Sequence, residues 1–200
     1  MLSQLFWSVP DPALPGGKAP RKLHLLPIMS NLEDLLAHAP EADRARPGLL
    51  ALDVSKRAIG VAGADAGWRL ATPLTTIRRK RWAQDLARLQ ALLKERAAGA
   101  LVIGWPLNMD GSEGPRCQAV RAFAERLDAA LGLPILLWDE RLSTFAAEEA
   151  AAQAGLRSAK RAAMLDALAA AAVLQDALDS LARSDRAGAS ARGRLSRSGP

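Results

Sequence analysis

The chain has 200 residues, half of them hydrophobic, and carries 27 Lys and Arg against 21 Asp and Glu, a formal net charge of +6. These values suit one folded domain with tails, and no apolar run approaches the ~18 uncharged residues of a membrane helix. The single cysteine, Cys117, excludes an internal disulfide and favours a reducing, cytoplasmic compartment.

The N-terminal segment, residues 1–47, is predicted to be an extension of the folded domain. Residues 1–28 are rich in Pro and Gly without sustained periodicity, which indicates disorder, and they lack the pattern of a signal peptide. A short helix is possible near residues 30–37, and translation starting at Met29 is a hypothesis. His24 and His38, the only histidines, both lie here, which argues against a histidine-centred site.

Three strands open the folded body. Apolar runs predict them at 49–54, 59–63 and 69–77, with turns at residues 55–57 and 65–67. The short connections predict consecutive hairpins, so these three strands should be antiparallel.

Helices and strands then alternate. Helical spacing or composition predicts helices at 82–98, 116–131, 144–155 and 158–181, and short apolar runs predict strands at 101–103 and 133–138. Right-handed crossovers would make the later strands parallel. The pattern therefore predicts an α/β domain over residues 48–182, with a mixed five-stranded sheet and helices on both faces.

Most of the excess positive charge lies in residues 183–200, which contain five Arg and one Asp. The Ser, Arg and Gly composition predicts a basic disordered tail. A basic balance favours a polyanionic partner, although a merely solvated tail is the simpler explanation of this segment.

Three acidic residues stand in apolar surroundings on three different elements. Asp53 interrupts the first strand, Glu140 follows the last strand, and Asp166 is flanked by alanines on its helix. Each acid alone is compatible with an ordinary satisfied residue. Together, near the strand ends, they would repel one another unless a cation neutralised them, and such oxygen ligands suit Mg²⁺ or Mn²⁺. Two such ions about 4 Å apart stabilise both the attacking and the leaving oxygen in phosphodiester hydrolysis.

Five stretches of the chain resemble the YqgF family, also called RuvX. They are Leu52-Asp53-Val54, residues 59–62, residues 104–115, residues 138–144 and Asp166 in an alanine-rich helix. The resemblance spans about residues 48–181 and matches in order and spacing. It implies an RNase H-like fold, shared with Holliday-junction resolvases, and maturation of the 5′ end of precursor 16S rRNA in the cytoplasm.

The resemblance also implies roles for single residues. Asp53, Glu140 and Asp166 match the family's catalytic, metal-binding acids. Where the family usually has Gly-Thr after the first strand, this chain has Ser55 and Lys56. The turn should still form, and Lys56 would offer a phosphate a direct charge contact.

Further candidate substrate contacts lie on two loops. Asn108, Asp110 and Ser112 either position substrate or form a self-bonded turn. Arg141 either holds a phosphate through two hydrogen bonds or pairs with Asp139, which is itself expected to be structural.

The basic run Arg78 to Arg81 with Trp82 offers another nucleic-acid contact. It would grip a phosphate backbone and stack a base, or else form a solvated face beside a core tryptophan.

The expected partner is a nucleic acid, precursor 16S rRNA first and branched DNA second, with ribosomal particles possible and no membrane. The protein would act as a monomer or a homodimer. Rival functions are a Holliday-junction resolvase using the same site and a binding module that does not cleave; the retained acids argue against the latter.

Overall fold

The computed structural model describes Leu32, Leu35, residues 48–141 and a helix over residues 158–195, whose side chains are described from 164 to 186. The predicted helix at 144–155 lies outside the described residues. So does most of the N-terminal extension.

Five strands form one sheet: β1 (Gly48–Val54), β2 (Ala58–Ala64), β3 (Ala71–Arg78), β4 (Ala98–Trp105) and β5 (Ile135–Asp139). Their order is β3-β2-β1-β4-β5. The pairs β1–β2 and β2–β3 are antiparallel, whereas β1–β4 and β4–β5 are parallel. This confirms the predicted mixed sheet and its RNase H-like arrangement.

The turn between β1 and β2 forms despite its departure from the family pattern. Ser55 closes it, because its hydroxyl accepts a hydrogen bond from the Ala58 amide (3.0 Å) and lies 3.0 Å from the Ala58 carbonyl oxygen, to which it donates. Lys56 and Arg57 are exposed at the tip. The substitution of Ser and Lys for Gly and Thr therefore leaves the hairpin intact.

Helices cover both faces of the sheet: α1 (Trp82–Glu95), α2 (Pro115–Leu131) and α3 (Ser158–Leu195). Side chains of α1 and α2 pack with one set of strand residues into a first core. Side chains of α3 pack on the opposite face into a second core, which Leu32 and Leu35 join. Both of these leucines are helical and buried, where the sequence suggested a short helix.

Several predicted ends of elements are wrong. The helix predicted over residues 82–98 ends at Glu95, and strand β4 begins at Ala98, not residue 101, directly after Ala97, whose left-handed φ of 46° turns the chain out of α1. Helix α3, predicted to end at residue 181, continues to Leu195 and so enters the segment predicted as a basic disordered tail.

No helix in the described part of the chain is long and apolar enough to cross a membrane. The domain boundaries at 47 and 182 stay predictions.

Candidate active site

Asp53 lies near the carboxyl end of β1 in the centre of the sheet, on the face that α3 covers. Its partner on β2 is Gly60. On the other side, Leu52 pairs with Ile103, and Gly104 follows Ile103 on β4. The central acid is therefore flanked by glycines on both neighbouring strands.

The two glycines leave room for the other two acids. A Cβ added at Gly60 would overlap the carbonyl oxygen of Asp166, so α3 approaches β2 where β2 has no side chain. A Cβ added at Gly104 would overlap Oε2 of Glu140. Glycine inside a strand marks such close approaches. Glycines inside β2 and β4 were therefore a clue in the sequence to the positions of Asp166 and Glu140, and the sequence interpretation did not use it.

Glu140 is held at the same end of the sheet. It follows β5, and its amide donates a hydrogen bond to the Trp105 carbonyl at the end of β4 (3.2 Å). Its side chain is only 13% exposed. The carboxylate therefore points inward over Gly104 toward β1.

The three acids influence one another electrostatically. Burial raises the pKa of Asp53 to about 7, and the charges of Glu140 and Asp166 add to this rise, with Arg116 opposing it. Burial likewise raises the pKa of Glu140 and of Asp166, opposed by Arg116 and Arg78 respectively. Folding thus gathers negative charge around Asp53 that neighbouring cations do not fully offset.

The donor set suits a hard divalent cation. Carboxylate oxygens are the protein ligands that Mg²⁺ prefers, and uncompensated negative charge favours any cation. Within the described residues, no three His, Cys, Asp or Glu side chains are arranged so that they hold one ion together. Mg²⁺ commonly takes only one or two carboxylates, completed by water and substrate phosphate, so the acids fit such an ion. Their assignment as metal ligands stays a prediction.

Arg116 is a site residue that the sequence interpretation missed. It follows Pro115 at the start of α2, and its Nη2 lies 3.5 Å from Oε1 of Glu140. The thiol of Cys117 donates to the Pro106 carbonyl (3.1 Å), which fixes this end of α2 beside β4. Because Arg116 and Glu140 lie on different elements and far apart along the chain, sequence spacing gave no clue to the pair.

The loop with Asn108, Asp110 and Ser112 has the self-bonded structure that was the alternative expectation. The Asn108 Nδ2 donates to Ser112 Oγ (2.9 Å), and the Ser112 hydroxyl and amide both bond to Asp110 Oδ1 (2.6 and 2.9 Å). The hydrogen bonds from Ser112 lower the pKa of Asp110. All three residues are exposed, and a role in substrate binding stays a prediction.

Arg141 pairs with Asp139, the second of its two expected states. Its Nε lies 2.9 Å from Oδ2 of Asp139, and its Nη2 lies 2.6 Å from the same oxygen. Its Nη1 also reaches the Met109 carbonyl (3.5 Å). Arg141 therefore ties the loop after β4 to the end of β5, beside Glu140.

Exposed basic residues surround the acids at this end of the sheet. We call them the basic rim: Lys56, Arg57, Arg78, Lys80, Arg81 and Arg116. The turn after β1 carries the first two, the end of β3 and the following segment carry the next three, and Arg116 pairs with Glu140. Exposed positive charge of this kind suits a phosphate backbone.

Trp82 and Arg79 do not belong to this rim. The Trp82 ring packs edge-on against Phe123 and is covered by the Arg126 guanidinium at 4.1 Å. Arg79 donates to the Ser55 carbonyl (2.9 Å) and lies 3.9 Å from the buried carboxylate of Asp85. Trp82 therefore packs against the core, as in the second interpretation of the basic run, and is not placed to stack a base.

Comparison with known proteins adds to this geometry. The family model described as "RuvX: Holliday junction resolvase" matches residues 48–180. The chain belongs to the RuvX family. A relative from Sphingopyxis alaskensis is 52% identical over 156 residues, covering 78% of this chain and 99% of its own. One from Novosphingobium aromaticivorans is 53% identical over 136 residues, covering 68% and 87%. Both are called "Putative pre-16S rRNA nuclease".

Among solved structures, Thermus thermophilus RuvC in complex with a Holliday junction substrate is similar to this RuvX chain, with a TM-score of 0.45 and 18% identity. The alignment covers 68% of this chain and 95% of that one.

Proposed function

We propose that this RuvX chain is a metal-dependent endonuclease that hydrolyses phosphodiester bonds and trims the 5′ end of precursor 16S rRNA in the cytoplasm. The observation that carries the proposal is the convergence of acids from three elements at one end of the sheet, with Glu140 over Gly104 and the Asp166 backbone against Gly60, on either side of Asp53. The names of the relatives support the rRNA substrate.

The acids would hold Mg²⁺ or Mn²⁺. Bound there, such an ion activates water and stabilises the developing charge on the leaving oxygen, and a second ion shares these tasks in two-metal sites. Glu140 and Asp166 oppose ionisation of Asp53, so Asp53 would keep its proton until positive charge is held beside it.

The remaining side chains would hold the nucleic acid. Lys56 and the rest of the basic rim supply sequence-independent contacts to phosphates. The loop with Asn108, Asp110 and Ser112 would meet the nucleic acid with its internal hydrogen bonds already formed. Arg141 fixes that loop against the strand that precedes Glu140. Positions fixed before substrate arrives lower the entropic cost of binding.

The second candidate substrate is a four-way DNA junction. The description of the family model favours it, and metal-assisted hydrolysis does not itself distinguish ribose from deoxyribose. A resolvase of this kind would act as a two-fold dimer on symmetric strands, whereas a trimming nuclease can act as a monomer and meet its substrate on ribosomal particles.

The test is incubation of the purified full-length protein with precursor 16S rRNA and, separately, with a four-way junction, each with Mg²⁺ and with chelator. We expect shortening of the 5′ end of the RNA with Mg²⁺ only. Symmetric nicking of the junction with the RNA left intact would transfer the activity to DNA. Binding without cleavage of either substrate, with Mg²⁺ and with Mn²⁺, would make the chain a binding module.

A further inference from the structure

Arg116 covers the acidic site from the solvent side. In its pair with Glu140, the arginine side chain is 71% exposed and the glutamate side chain 13% exposed. Its positive charge also acts on Asp53, whose pKa it lowers. One exposed cation therefore acts on two partly buried carboxylates, those of Glu140 and Asp53.

Helix stability does not explain this position. Arg116 lies in the first turn of α2, which has no acidic residue there. A cation at a helix N-terminus meets the positive end of the helix dipole, an unfavourable placement.

We propose that Arg116 is the resident cation of the acidic site, which a divalent ion must displace from Glu140 and which then contacts a phosphate of the bound nucleic acid. This inference rests on the proposed function. Arg116 lies against Oε1 of Glu140, and a divalent ion would compete with it because both draw on the negative charge of the same carboxylate. Once displaced, a guanidinium on an exposed side chain can bond to two phosphate oxygens.

The two parts of the proposal predict opposite effects of one substitution. Arg116→Gln removes the competitor, so the protein without nucleic acid should bind Mn²⁺ about three- to tenfold more tightly. The same variant lacks the phosphate contact, so at saturating Mg²⁺ its kcat/KM for the nucleic acid should fall about tenfold or more, mainly through KM. A residue with only a structural role would not move these two quantities in opposite directions.

Arg126→Gln is the matched control. It removes the same charge from the same helix, about 15 Å further along at 1.5 Å per residue, and Arg126 lies over Trp82 instead of the acids. Its Mn²⁺ affinity and its kcat/KM should stay within about twofold of the wild type, because charges this far apart are screened. Arg116→Lys should restore part of both wild-type values, since it keeps the charge without the two-pronged geometry.

The experiment is titration calorimetry with Mn²⁺ on the full-length variants, followed by cleavage kinetics with Mg²⁺. Tighter Mn²⁺ binding with weaker cleavage by Arg116→Gln supports the proposal. Mn²⁺ affinity equal to that of Arg126→Gln overturns it, and so does wild-type kcat/KM in Arg116→Gln. If the wild type itself cleaves neither RNA nor junction DNA, the proposed function fails, whereas the Mn²⁺ titration still tests the competition at Glu140.

Discussion

The two ends of the sheet use aspartate in opposite ways. At the carboxyl end of β1, Asp53 is partly buried near two other acids, and its pKa is raised to about 7. At the other end, Asp65 caps the turn between β2 and β3 and accepts hydrogen bonds from the amides of Arg69 (2.6 Å) and Leu70 (2.8 Å). These bonds, that of Leu70 first, lower the pKa of Asp65.

Asp65 stabilises the folded state, whereas the placement of the acids around Asp53 is unfavourable to folding. Asp65 is ionised at little cost because two amides and Arg69 satisfy it. Asp53 is held where its charge is unfavourable, which proteins tolerate mainly where the charge has a task. The contrast therefore favours a structural role for Asp65 and supports the role proposed for the acids around Asp53.

The largest expected effect is on cleavage. Asp53→Asn should reduce Mg²⁺-dependent cleavage at least about a thousandfold, because a central anionic ligand is removed, while nucleic-acid binding stays within a few-fold. The variant Asp65→Asn, in the turn between β2 and β3, should cleave at the wild-type rate. Gel-based cleavage and filter binding measure both quantities, and full activity in Asp53→Asn would remove this residue from the mechanism.

Alanine substitutions of two glycines in β2 test how tightly each end of the sheet is packed. Gly60→Ala should destabilise the protein by about 3 kcal/mol or more, since its Cβ would overlap the Asp166 backbone and displace α3. Gly63→Ala should change stability by less than about 1 kcal/mol, because its neighbours are flexible side-chain atoms of Leu74 (3.1 Å) and Leu50 (3.3 Å). Urea denaturation in chelator measures both values, and equal losses of stability would contradict the close approach at Gly60.

Stability should also depend on pH through Asp53. Its folded pKa of about 7 exceeds its ordinary 3.8, so the folded state binds the proton more tightly. The stability linked to this proton is complete below about pH 4 and is lost as the pH rises through 7. In chelator, Asp53→Asn should therefore be about 1–3 kcal/mol more stable than wild type at pH 8, with a smaller gap at pH 5. A gap that does not change with pH would contradict this origin.

The smallest effects concern the phosphate-binding side chains. The double variant Lys56→Gln, Arg81→Gln should weaken nucleic-acid binding and reduce the slope of log affinity against log salt by about 0.7–0.9 for each phosphate that is no longer neutralised. Arg96 pairs with Glu95 at the opposite end of the sheet from Asp53, so Arg96→Gln should leave the slope unchanged. Removing residues 187–200 tests the basic tail in the same assay, and a flattened slope there would extend the nucleic-acid surface beyond the rim.

Local patterns in the sequence predicted most of the fold. Apolar runs located all five strands, and short turns predicted the antiparallel half of the sheet. The limits were set by positions where packing overrides composition. Ala98 to Ala100 carry no strand preference of their own but complete β4 beside β1, and α3 continues to Leu195 through a Ser-, Gly- and Arg-rich segment.

The candidate site was predictable to a smaller extent. Anomalous acids in apolar segments indicated Asp53, Glu140 and Asp166, since an unpaired buried charge is costly. Arg116 lies on a different element from Glu140, and only tertiary structure joins them. Spacing likewise left open whether Arg141 pairs with Asp139, because sequence alone does not show where the Arg141 side chain points.

The position of α3 after all five strands has a consequence for synthesis. Buried side chains from Ala167 to Leu181 cover one face of the sheet, and this helix also brings Asp166 to Gly60. Until α3 has been made, that face lacks these side chains and the third acid is missing. Under the proposed function, we expect a nascent chain to be inert toward ribosomal RNA until α3 has left the exit tunnel and docked.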